Sequence, residues 1–94
     1  MYLLRTTKKF EKSFKKIKRS GLKPKAFNEI KIVINLLQSG KKLPQKYRDH
    51  QLTGELKEYR ECHIQSDLLL IYQIYNDELI LVLVDIGSHS ELFR

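Results

Sequence analysis

Two apolar runs, "LLLIYQIY" (68–75) and "ELILVLVDI" (78–86), are separated only by Asn76-Asp77. Runs so rich in Leu, Ile and Val are strands covered on both faces, and both are far shorter than the ~20 residues that cross a bilayer as a helix. A two-residue link makes them antiparallel neighbours. With Asn76-Asp77 as the turn, Tyr75 pairs with Glu78 and Asp67 falls opposite Ile86. Whatever follows Gly87 therefore emerges beside the turn that precedes Leu68. A sheet of this kind cannot stand alone and needs another layer on it.

The first half of the chain supplies that layer. Tyr2–Thr6 is a short strand. Thr6 or Thr7 can cap a helix through its hydroxyl, and Phe10, Phe14 and Ile17 then form an apolar stripe at helical spacing. Ser20-Gly21 ends that helix, and Pro24 suits the first turn of the next. There Phe27, Ile30, Ile34 and Leu37 repeat at helical spacing beside Val33, and Gly40 is the stop. "KKLPQKYRDHQLTGEL" (41–56) has no period and holds Pro44 and Gly54, so it reads as a long loop. A further strand spans residues 59–64. The expected architecture is α+β: an N-terminal strand, a two-helix hairpin and an antiparallel three-strand meander, in a single domain, 1–94.

Charge is distributed unevenly. The net charge is +7 on 94 residues, and more than half of the 18 basic residues lie between Arg5 and Lys25 beside one acid, Glu11. Such a balance favours a nucleic-acid or otherwise anionic partner. The first-helix lysines are either a solvated face or a set of phosphate contacts. One cysteine, Cys62, excludes a disulfide framework. "MYLLRTTKKF" lacks the shape of a signal peptide. Cytoplasmic residence with no membrane association is the resulting expectation.

The polar residues converge on one end of the sheet. The nine residues "YRECHIQSD" (59–67) carry Arg60, Glu61, Cys62, His63 and Asp67. Strand alternation puts Glu61 and His63 on one face and Cys62 and Ile64 on the face toward the helices. It also puts Arg60 on that inner side, at odds with its charge. The tail brings His89 toward His63 and Asp67, and the loop can bring His50 over. Histidine both takes and gives protons near neutral pH. Cys62 and the histidines are zinc-ligand types, but Cys62 and His63 point to opposite faces and no paired ligand spacing exists, so no metal site is expected. An inward Cys62 is a poor nucleophile. A Glu61/Asp67 pair of the glycosidase kind has no sugar cleft to serve. RNA cleavage fits better. It needs a base for the 2′-hydroxyl, an acid for the leaving 5′-oxygen, and cations such as Arg60, Arg48, Lys46 or Lys57 around the phosphate.

Three blocks, "YRDHQLTG" (47–54), "YRECHIQSDLLLIY" (59–72) and "GSHSELF" (87–93), resemble the YafQ branch of the RelE/ParE toxin superfamily. The resemblance covers Tyr47 to Phe93. It implies a RelE-like microbial ribonuclease fold and the toxin of a type II toxin–antitoxin pair. It further implies a metal-independent endoribonuclease, without cofactor, that cuts mRNA on the ribosome and is blocked by a cognate antitoxin. The family's functional positions fall on His50, His63, Asp67 and His89 as acid–base residues, with Glu61 in the same block. The tail aromatic falls on Phe93, which can stack on a base. The basic first helix would meet ribosomal RNA. The chain departs from the family pattern in carrying Glu61 where Asp is common, and Leu56 and Lys57 where an aromatic is frequent. A ParE-like, non-enzymatic toxin acting on DNA gyrase and a plain nucleic-acid-binding module are the alternatives.

Overall fold

In a computed structural model, which describes residues 1–93, β1 (Leu3–Thr6) leads into α1 (Lys8–Arg19) and α2 (Pro24–Gln38). A 40s segment with a single 3-10 turn at Gln45–Tyr47 follows, then β2 (His50–Gln51) and a second such turn at Gly54–Leu56. The chain closes with β3 (Arg60–Gln65), β4 (Leu68–Tyr75), β5 (Ile80–Gly87) and a one-turn helix, α3 (His89–Leu92). The five strands form one sheet in the order β1-β5-β4-β3-β2, with β1 parallel to β5 and the other pairs antiparallel. The expected α+β architecture is present, with two additions: β2 inside the segment read as a loop, and α3 in the tail.

Each helix starts where its local chemistry dictates. Thr7 is the cap of α1: its hydroxyl oxygen accepts from the Phe10 amide at 3.0 Å and donates to the Val84 carbonyl at 2.6 Å. One side chain thus starts the helix and fastens it to β5; such a cap contributes ~1 kcal/mol. Pro24 opens α2, where its missing N–H costs nothing. The apolar stripes meet the sheet in one core of Phe10, Ile30, Val33 and Leu37 with Cys62, Ile64, Leu70, Tyr72, Leu81, Leu83 and Ile86. Fully burying a Leu or Ile side chain contributes ~1.5–3 kcal/mol, so this core carries the domain. Among the described residues no helix is long and apolar enough to cross a membrane.

The β4–β5 register corrects the two-residue turn. Tyr75 pairs with Ile80, not Glu78, and Asn76–Leu79 is a four-residue connection with Leu79 at φ 54. A two-residue turn of type I′, the kind open to Asn-Asp, needs positive φ at both central residues. The longer link needs it once, and Asn76 accepts a hydrogen bond from the Tyr2 hydroxyl. A bulge at Val84 then shifts the pairing again, from Tyr72↔Leu83 to Ile71↔Asp85 and Leu70↔Ile86. The extra residue lets Leu81, Leu83 and Ile86 all reach the core. Leu69 pairs with Gly87, so the tail does emerge beside the Ser66–Asp67 turn.

Candidate active site

β2 and β3 bring the first group together. His50 pairs with Glu61, Glu61 with Ile71 and His63 with Leu69, so all of these share the face turned away from the main core. Glu61 is a carboxylate only 5% exposed. Its Oε1 lies 3.4 Å from His50 Nε2 and 3.4 Å from His63 Nε2, and the two rings are 6.4 Å apart, centre to centre. Arg48 sits in the left-handed region at φ 48, a conformation uncommon for a residue with a side chain. That twist turns its carbonyl onto His50 Nδ1 at 2.7 Å. Since a carbonyl can only accept, His50 Nδ1 carries the hydrogen, and Nε2 is the atom offered to Glu61 and to solvent.

Asp67 and His89 form the second group. The His89 backbone N–H donates to Asp67 Oδ1 at 3.0 Å, across 22 residues of sequence. Within α3, Ser88 and Glu91 make a reciprocal capping box. Hydrogen bonds from Ser88, the backbone one foremost, hold the Glu91 carboxyl below its ordinary value. Gly87 lies close against the Glu91 side chain: a Cβ there would stand 3.1 Å from Glu91 Oε1. The Phe93 ring lies 5.0 Å from the His89 ring.

Other residues read as substrate contacts divide. Lys46 and Arg48 flank a hollow of about 350 Å³ beside His63; Lys46 also reaches Glu29 at 3.7 Å. Lys57 is exposed, and its carbonyl accepts from Gln51 Nε2 at 2.6 Å. Arg60, expected at the phosphate, is turned to the opposite face. Its Nη2 donates to Asp49 at 3.1 Å, its Nε donates to the Tyr72 hydroxyl at 3.4 Å, and Tyr72 donates to Asp49. Asp49 and Tyr72 went unremarked in the sequence. Asp49 beside His50 was the one available signal. Burial pushes the Cys62 thiol well up, as expected for an inert cysteine. Among the described residues, no three His, Cys, Asp or Glu side chains are disposed to hold a metal ion.

Residues 2–94 match the family described as "Bacterial toxin of type II toxin-antitoxin system, YafQ". The chain belongs to this family. The mRNA interferase toxin YafQ of Escherichia coli K12 is 36% identical over 80 residues, 84% of this chain and 85% of that one. Among solved structures, a metal-bound toxin from Helicobacter pylori superposes with TM-score 0.89 at 44% identity, covering 99% of this chain and 100% of the other. The E. coli YafQ seen in complex with DinJ superposes with TM-score 0.85 at 28% identity, over 100% of both chains. The YafQ-like fold is therefore shared from end to end. In this YafQ-family member the two imidazoles converge on a carboxylate oxygen.

Proposed function

We propose that this chain is the toxin of a type II pair and an endoribonuclease that cleaves mRNA on the ribosome through a histidine–carboxylate site. The observation that carries the reading is the buried Glu61 shared by His50 and His63; the His89 backbone is held by Asp67 where the tail leaves the same sheet. A base takes the proton of the 2′-hydroxyl, whose oxygen attacks phosphorus. The P–O5′ bond breaks, and an acid returns a proton to the leaving 5′-oxygen. Imidazoles are suited to both transfers, each worth ~10²–10⁴ in rate. Glu61 lies where a proton gained at either Nε2 meets a negative charge. Lys46 and Arg48, which line the hollow beside His63, supply the cations for the charge that builds on the phosphate. Arg60 is a positioning residue in this reading, because its guanidinium is occupied on the other face. No metal takes part. A cognate antitoxin is the protein partner, as DinJ is for the E. coli relative. The lysine-rich face of α1 contacts ribosomal RNA.

The test is a cleavage assay on translating ribosomes with chelator-stripped toxin, comparing wild type with His89→Gln. Wild type cleaves, while His89→Gln keeps its melt and antitoxin binding but loses at least ~10²-fold in single-turnover rate. Intact mRNA with the wild-type protein, or activity restored only by added zinc, would refute the reading, and intact mRNA would favour a ParE-like role. Combined Lys8→Ala, Lys12→Ala and Lys15→Ala weakens ribosome association, and the deficit shrinks as salt rises.

A further inference from the structure

Among the described residues, only Arg48 and Leu79 combine a side chain with a positive φ. Leu79 lies in the β4–β5 turn, whereas Arg48, at φ 48, lies two residues before His50. A residue stays in so sparsely populated a region only where its surroundings over-determine it. Both neighbours of Arg48 are tied down. Asp49 is held from the sheet by Arg60 and Tyr72. Tyr47 is held from α2: it is only 2% exposed, and its hydroxyl donates to Glu29 Oε2, 18 residues away. Burial, then the bond to Glu29, raises that hydroxyl above its ordinary value, so it remains a donor. The other carboxylate oxygen, Glu29 Oε1, faces Lys46 Nζ at 3.7 Å. Backbone bonds from the Tyr47 amide to the Pro44 carbonyl at 3.1 Å and from the Arg48 amide to the Gln45 carbonyl at 3.0 Å close the turn.

We infer that Glu29 is a positioning residue for His50: through Tyr47 it holds Arg48 in the left-handed conformation that presents the Arg48 carbonyl to His50 Nδ1. For its catalytic meaning the inference rests on the ribonuclease reading, which it deepens. The His50 side chain is half exposed, so packing does not fix its ring. What orients it is the 2.7 Å bond from Nδ1 to the Arg48 carbonyl, which leaves Nε2 toward Glu61. That carbonyl points where it does because of the twist at Arg48. Asp49 alone cannot hold the twist, since a strained residue with one loose neighbour relaxes by moving that neighbour. Tyr47 supplies the second fixed point, and its hydroxyl is in turn fixed by Glu29. Relaxation of Arg48 to negative φ would rotate the peptide, take the carbonyl off Nδ1 and free the ring to turn or to change tautomer. Small displacements of a reacting group are costly in rate. A carboxylate on α2, a helix whose apolar stripe serves the core, thereby acts on the acid–base face across the 40s segment.

Two measurements on the full chain test this. The first does not depend on cleavage: the ring-nitrogen resonances of His50 are recorded with the ring neutral, where they report which nitrogen carries the hydrogen. Wild type shows the Nδ1–H form. Tyr47→Phe, which keeps the ring in the core and removes only the hydroxyl, and Glu29→Ala both lose it in part. Glu29→Gln retains it, because the amide oxygen still accepts from Tyr47 although the charge facing Lys46 is gone. The second measurement is single-turnover cleavage on ribosomes. Tyr47→Phe and Glu29→Ala lower the maximal rate by at least ~10-fold while the toxin concentration at half-maximal rate stays as in wild type. In an Arg48→Gly background, where glycine adopts positive φ without strain, adding Tyr47→Phe has a smaller effect on both readouts than it has in the wild type. An unmoved His50 ring in Tyr47→Phe overturns the inference. So do an unchanged maximal rate, loss of the Nδ1–H form in Glu29→Gln, and an undiminished Tyr47→Phe effect in the Arg48→Gly background. If Tyr47→Phe melts early, the two Glu29 variants carry the test, since Glu29 lies outside the core. The expected ring signals from a wild-type protein that cuts no mRNA leave the positioning of His50 standing and refute only the ribonuclease reading.

Discussion

Two ion clusters are built on opposite faces of the same two-strand ladder, from residues one apart in sequence. Asp49 and Arg60, with Tyr72, form one; His50 and Glu61, with His63, form the other. In the first, the donors never release their protons near neutral pH. Hydrogen bonding to Asp49 raises the Arg60 guanidinium above its ordinary value, and burial, then Asp49, raises the Tyr72 hydroxyl. In the second, both partners of the carboxylate are imidazoles, side chains able both to take and to give a proton. The first cluster is a latch, and the second is the one we propose for the chemistry. They are coupled, because Asp49 and His50 are neighbours: the latch that ties the chain to β3 also sets where His50 stands.

The largest effects should separate the faces. Glu61→Gln and His63→Gln each lower single-turnover cleavage by at least ~10²-fold with little change in melting temperature. Asp49→Asn acts the other way round. It costs about 1–3 kcal/mol of stability, a fall of roughly 4–8 °C in Tm per kcal/mol for a domain of this size. Its loss of cleavage is smaller than that of His63→Gln. Thermal melts and cleavage on one preparation decide this; equal Tm losses with intact cleavage in Glu61→Gln would erase the distinction.

A subtler effect appears in alkali. Tyr72 titrates above the ordinary tyrosine value of 10.0 when folded. Its stabilisation is therefore complete below that value and fades as pH rises through the higher folded one. Tm should fall as pH is raised past 10, and Tyr72→Phe should lose part of that dependence while costing about 1 kcal/mol near neutrality. An unchanged alkaline slope in Tyr72→Phe would place the titration on Tyr47, which burial also raises.

Much of the site was legible because it depends on local period. Alternation along β3 separates Glu61 and His63 from Cys62 and Ile64, and that separation is what the structure has. The arrival of His89 at Asp67 was legible because it needs only that β5 run back along the length of β4. The four-residue turn and the Val84 bulge each displace the register, yet β5 still ends beside the Ser66–Asp67 turn. β2 was not legible. Two residues flanked by Arg48 and Leu52 show no alternation, and their strand character comes entirely from pairing with Arg60 and Glu61. Arg60 looked misplaced on an inner face because its partner Asp49 lies in the segment that reads as a loop.

The sequence by itself determined the order of strand, helical hairpin and meander, the apolar stripes that join them, the basic face of α1 and the family blocks that carry the histidines. These are local properties, written in side-chain period and composition. Only the tertiary structure decided the register of β5, the pairing that sets His50 against Glu61, and the burial that makes Glu61 a shared partner of two imidazoles. Register and cross-strand contact depend on turn geometry and on residues distant in the chain. A bulge of one residue at Val84 reassigns every pair beyond it, and no local pattern records that choice.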